Sequence, residues 1–162
     1  MANLGLSCSI AWWGVSGLRW AFFRRSIEAK VLLCTPLQII VLHLGRNDIT
    51  SSTSTKLCRN IASEISYLRE AFPLVLIIWV NILGRLKWDD SYSKKAIEKK
   101  RKPANHFGRR CVRSTGTHDI ITIDITTGTP GLFSPDSIHL SDVGLEFYLD
   151  TLKDALAKHM TT

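Results

Sequence analysis

Three short stretches of this sequence combine residue types that can do acid–base or anion chemistry. In Asp136-Ser137-Ile138-His139 a carboxylate stands three residues before an imidazole. On a loop, a carboxylate at that spacing can accept a hydrogen bond from the ring, fix its tautomer and stabilise the imidazolium formed when His139 takes a proton. In Gly45-Arg46-Asn47-Asp48, the amide NH2 of Asn47 can point at an anion, although Asn and Asp are also ordinary residues of turns and helix caps. In Gly14-Val15-Ser16-Gly17 a glycine permits close backbone approach, and its N–H can help hold an oxyanion. A glycine-rich turn into a helix reads the same way.

The elements around these stretches decide whether they can meet. Ser7 to Trp12 reads as a short strand ending in the Gly14–Gly17 turn, with a helix from about Leu18 to Lys30 bearing Trp20, Phe23 and Ile27 on one face. Pro36 opens the run Gln38 to Leu44, apolar on both faces, as in parallel sheets covered by helices on either side. The run ends at Gly45-Arg46-Asn47-Asp48, where an open α/β sheet binds its ligands, beyond the carboxyl ends of its strands. The Ser51–Ser54 cluster starts a helix to about Ala71, with Leu57, Ile61, Ile65 and Leu68 at helical spacing, closed by Phe72-Pro73. Leu74 to Leu83 follows as a strand, and Ser93 to Arg113 as a basic helix broken or kinked by Pro103. His118 to Ile125 is a further strand, Thr126 to His139 a loop, and Ser141 caps a last helix to about His159. Asp142 near its start and Lys153 and Lys158 near its end suit the helix dipole. Alternating strands and helices imply a three-layer, doubly wound, parallel α/β sheet.

Composition agrees with one domain spanning 1–162, since the chain is 45% hydrophobic and 22% charged, enough for a core. No apolar stretch reaches the roughly 18 residues of a membrane span, and no basic segment precedes Leu4–Phe23 to make it a signal peptide. The expectation is an intracellular, cytoplasmic protein without a membrane partner. Cys8, Cys34, Cys58 and Cys111 are too scattered for a zinc site or a disulfide framework, so buried free thiols are expected, with no metal and no cofactor. The net charge of +7 is concentrated: Lys94 to Arg113 holds nine cations and one acid, Glu98, which makes +8 and leaves −1 for the rest.

The three stretches together resemble the SGNH (GDSL-like lipase/esterase) hydrolase superfamily, whose blocks are a GDS nucleophile motif, a glycine, GxND and a terminal DxxH. Gly17 within Gly14–Gly17, Gly45–Asp48 and Asp136–His139 match the last three in order, over about residues 6–156. Trp13–Trp20 and Pro130–Phe133 also resemble a vertebrate, retroelement-associated branch. The resemblance implies a flavodoxin-like sheet of order 2-1-3-4-5, with His139 as general base, Asp136 as its orienting partner, and the Asn47 side chain and Gly17 N–H as oxyanion donors. It also implies serine attack on a small ester or acetyl substrate, followed by hydrolysis of the acyl-enzyme.

The first block is absent, because no Gly-Asp-Ser occurs anywhere in the chain. The family carries it on the first, central strand, so the expectation is an N-terminally truncated fold without that strand. Ser7, Ser9 and Ser16 are the nearest substitutes, but none sits on a strand-to-helix turn that exposes a nucleophile; its identity stays unknown. Losing a triad serine costs on the order of 10⁶ in turnover, which points to an impaired hydrolase. Arg46 departs from the small residue usual in the family. The rival reading is a non-catalytic binding module, with nucleic acid held through Lys94–Arg113. Against it, Phe107 is the one aromatic among those cations, and lysine-rich helices often form a solvated face.

Overall fold

The structure, a computed structural model, describes residues 3–31, 37–88 and 92–160. Cys34 and Pro36 lie outside the described residues. In chain order the elements are α1 (Trp20–Val31), β1 (Ile39–Leu42), α2 (Asp48–Ser51), α3 (Ser54–Ala71), β2 (Leu76–Val80), α4 (Lys94–Thr115), β3 (His118–Ile121) and α5 (Asp142–Ala157). The chain divides into two compact units. One comprises Gly17–Ile82 and Asp89–Thr122; the other comprises Met1–Ser16, Leu83–Trp88 and Ile123–Thr162.

The first unit is a parallel α/β layer structure. β1, β2 and β3 pair in that order, with Ile40 opposite Ile77 and Trp79 opposite Ile120. β2, the central strand, is buried at every position, as a strand covered on both faces is, whereas the edge strand β1 alternates half-buried and buried residues. Each strand is followed by a helix before the next, the connection that parallel pairing requires.

α3 begins where Thr53 Oγ1 accepts from Lys56 N at 3.2 Å, buries Leu57, Ile61, Ile65 and Leu68, and ends at Phe72. It packs against α1 and α4. α4 runs without interruption through Pro103 rather than breaking there. Proline removes only the bond to the carbonyl four residues back, that of Lys99; both residues are exposed, so water can serve it. Asn105, buried, accepts from Ile82 N at 2.7 Å and donates to Ile82 O at 3.1 Å, tying α4 to the chain leaving β2.

Trp79 sets how closely α4 approaches the sheet. Its ring stacks on Trp20 with centroids 5.8 Å apart and planes 6° from parallel. A Cβ at Gly108 would stand 2.3 Å from Trp79 ring carbons, so only glycine fits that point of α4.

Two sequence expectations are corrected. Ser7 to Trp12 is not a strand; Ser7, Ser9, Ala11 and Trp12 are exposed and Cys8 is half-exposed rather than buried. A strand exists only by hydrogen bonding to a neighbour, and among the described residues this segment pairs with no strand. Cys58 and Cys111 are also free and partly exposed. The observed order β1-β2-β3 is the 3-4-5 half of the expected sheet.

Candidate active site

The first unit brings the Gly17 turn to the loop after β1. Gly17 adopts φ +71°, in the left-handed region that glycine enters without a side-chain clash, and turns the chain into α1. One residue on, the Leu18 carbonyl accepts from Asn47 Nδ2 at 3.1 Å. Trp20 N, the first helical amide of α1, donates to Asp48 Oδ2 at 3.2 Å. The two side chains of the Asn47-Asp48 pair therefore both hold the start of α1.

Gly45, at φ +112°, makes the turn: a Cβ there would meet Ile82 Cδ1 at 2.8 Å and Trp20 Nε1 at 3.0 Å. Asn47 is the residue before α2 but makes no side-chain cap to it. Asp48 is fully buried, and burial pushes its carboxyl above the usual range. Arg46 is half-buried beside it.

The second unit holds Asp136 and His139 on a loop built for rigidity. Phe133 and Leu140 form an antiparallel bridge, Ser134 N donates to His139 O at 2.9 Å, and Ser134 Oγ donates to Leu140 O at 2.8 Å. Ser137 sits at φ +60°, costly for a residue other than glycine. Its N–H donates to Ser134 O at 2.8 Å, and its carbonyl accepts from Lys87 N at 3.0 Å. At the far end Ser141 caps α5 by accepting from Gly144 N at 3.1 Å, while its hydroxyl donates to Gly131 O.

Within that loop Asp136 Oδ1 accepts from the backbone N–H groups of Ile138 and His139, each at 2.9 Å. Oδ2 lies 2.5 Å from His139 Nδ1. The His139 ring, followed by the two backbone donors, holds the Asp136 carboxyl well below the usual carboxylate range. An ionised carboxylate can only accept, so Nδ1 carries a proton, and a ring with that proton alone keeps its lone pair on Nε2. The His139 side chain is 74% exposed, which leaves the ring open to solvent.

Of the serines named from sequence, Ser7, Ser9 and Ser16 are exposed, and among the described residues none is hydrogen-bonded to His139. Ser134, which sequence reading passed over, is nearer the dyad in the chain, but its hydroxyl is spent on the Leu140 carbonyl. Asp48 as the anchor of α1 was also missed; its side-chain partner lies 28 positions away, and no local pattern announces that. Gly17 and Asn47 belong to one unit, Asp136 and His139 to the other. Among the described residues no group of His, Cys, Asp or Glu could hold a metal ion, and no helix is long and apolar enough to cross a membrane.

Sequence comparison matches the chain to no family model and to no curated protein. Solved structures do match. A candidate platelet activating factor from Streptococcus pneumonia superposes with a TM-score of 0.76 at 20% identity, covering 94% of this chain and 74% of its own. A GDSL-like lipase from Bacteroides thetaiotaomicron gives 0.71 at 18% identity, over 91% of this chain and 75% of its own. A carbohydrate esterase family 3 protein from Talaromyces cellulolyticus gives 0.71 at 20% identity, over 99% and 79%. These neighbours, together with the parallel sheet and its order, give the chain an SGNH hydrolase-like fold.

Proposed function

We propose that this chain is an SGNH-type ester hydrolase domain whose acid–base pair is intact and whose turnover is impaired by the missing GDS block. The observation that carries the reading is the 2.5 Å pairing of Asp136 Oδ2 with His139 Nδ1, backed by two amide donors on the same carboxylate. In the proposed reaction His139 Nε2 takes the proton from the attacking oxygen, and Asp136 stabilises the imidazolium that results. Gly17 N–H and the Asn47 amide take the family's role of oxyanion donors. The lipase and esterase neighbours support a small carboxylic ester as substrate.

The impairment follows from chemistry. Without a serine delivered to the base, no acyl-enzyme forms, and His139 is left to act as general base toward water, worth about 10²- to 10⁴-fold. Hydrolysis of p-nitrophenyl acetate by the wild-type chain and by His139→Ala tests the proposal. Slow, burst-free hydrolysis in the wild type that falls to the buffer rate in the variant is the expected result. Equal rates for wild type, variant and buffer remove the acid–base assignment. A stoichiometric burst of p-nitrophenol, abolished by His139→Ala, shows an activated nucleophile and overturns the impairment.

A further inference from the structure

Eight of the nine cations of α4, all but Lys94, divide into two groups with different work. Lys100 donates to the Ser52 carbonyl, Arg101 to Glu98 and the Ile82 carbonyl, and Arg109 to Asn81 Oδ1. These three hold α4 onto the rest of its unit. Lys95, Lys99, Lys102, Arg110 and Arg113, with His106 among them, are all exposed and recur at intervals of three or four residues. At 100° per residue they fall on one narrow face of the helix, and at 1.5 Å per residue the line is about 27 Å long. Among the described residues Lys95, Lys99, Lys102 and Arg113 have no carboxylate within ion-pairing distance, and Arg110 lies over the Phe107 ring, 5.3 Å from its centroid. The acid of the helix, Glu98, is occupied by Arg101 at 2.6 Å.

We propose that this face of α4 binds the phosphate backbone of a nucleic acid without reading its sequence. A small anion needs donors that converge on one point, and a straight line of cations does not converge. A linear polyanion laid along the helix meets each of them in turn. A protein partner is disfavoured because stable protein interfaces are anchored by aromatic and apolar side chains, and α4 exposes no large hydrophobic residue. A membrane surface is disfavoured for the same reason: interfacial helices bury an apolar face, and this exposed face has none. The surface is independent of Asp136 and His139 and stands or falls without them.

The test is fluorescence anisotropy with a labelled oligonucleotide of about 20 nucleotides, single-stranded and duplex, titrated over about 50 to 200 mM salt. Five phosphate contacts predict a log–log salt slope of about −4.5 on duplex and about −3.5 on single strands, a loss of roughly 100- to 500-fold across that range. Replacing Lys95, Lys99, Lys102, Arg110 and Arg113 by Gln should abolish binding, with the fold checked by circular dichroism. Replacing Lys95, Lys99 and Lys102 alone, in case the fivefold variant unfolds, should lower the duplex slope by about 2.7. Arg25→Gln with Lys56→Gln, exposed cations off this face, should leave binding unchanged. No binding at the lowest salt overturns the proposal, as does binding that survives neutralisation of the stripe. Retention on phosphatidylserine vesicles with none on oligonucleotide also overturns it.

Discussion

The carboxylate of Asp48 accepts the first helical N–H of α1, from Trp20, at 3.2 Å across 28 positions of sequence. The first amides of a helix have no partner inside it, and a residue next to them in sequence commonly caps them. Here the cap comes from the loop after β1, so the start of α1 and the Gly45–Asp48 turn are fixed by one another. The arrangement places a carboxylate with no exposed surface, one of whose oxygens, Oδ1, has no hydrogen-bond partner.

Burial raises the Asp48 carboxyl above its ordinary 3.8 in the folded chain, so the native state binds this proton more tightly than the unfolded state. Its contribution to stability is therefore fully present below the unfolded pKa and is lost as pH rises through the folded one. Thermal melts from about pH 4 upward should show the wild type losing ground steadily to Asp48→Asn, which stays neutral. Asp48→Ala should cost about 1 kcal/mol through loss of the cap. A wild-type/Asp48→Asn difference that does not change with pH would show that Asp48 titrates normally.

Gly108→Ala should be among the more damaging single methyl additions in the chain. The new Cβ would stand 2.3 Å from Trp79, whose buried ring is held by stacking on Trp20. Overpacking of this kind costs about 1–3 kcal/mol, read as a lowered urea midpoint. The same change in a Trp79→Leu background should cost less, because the obstructing ring is gone.

Gly144 stands where the first turn of α5 crosses the loop, and a Cβ there would lie 2.1 Å from the Leu132 carbonyl oxygen. That oxygen also accepts from Ser141 N at 3.1 Å, so Gly144→Ala must move the backbone on which the Asp136–His139 loop closes. We expect lost stability together with altered His139 ring resonances by NMR. Ser141→Ala, which removes the helix cap without a clash, should cost about 1 kcal/mol. Unchanged His139 resonances in Gly144→Ala would show that loop and helix are uncoupled.

Asp136→Asn replaces an acceptor-only group by one that can also donate toward the ring. In the wild type, ¹⁵N NMR of the neutral His139 ring should show the proton on Nδ1; in the variant the population should shift toward Nε2–H, the tautomer that cannot act as base there. Any His139-dependent ester hydrolysis should fall at least about tenfold, within the usual worth of a positioned acid–base group. Retention of the Nδ1–H tautomer in the variant would mean that Asp136 does not select it.

Much of this protein is determined by sequence alone, where the physics is local. The helical spacing of Leu57, Ile61, Ile65 and Leu68 marks the buried face of α3, and Ser141 caps α5 as its residue type predicts. The two-faced apolar run in β2 identifies a central parallel strand. The Asp136–His139 pairing is legible too, since three residues of loop bring the two groups into reach. Tertiary structure decided whatever depends on partners distant in sequence. Ser7 to Trp12 has strand-like composition and forms no strand, because a strand needs a neighbour and among the described residues this segment pairs with none. Asp48 reads as a turn residue until Trp20 is seen against it. The cations of α4 form one undivided run in sequence. Packing alone separates Lys100, Arg101 and Arg109, which are bonded to carbonyls or side chains of their own unit, from the line left facing solvent.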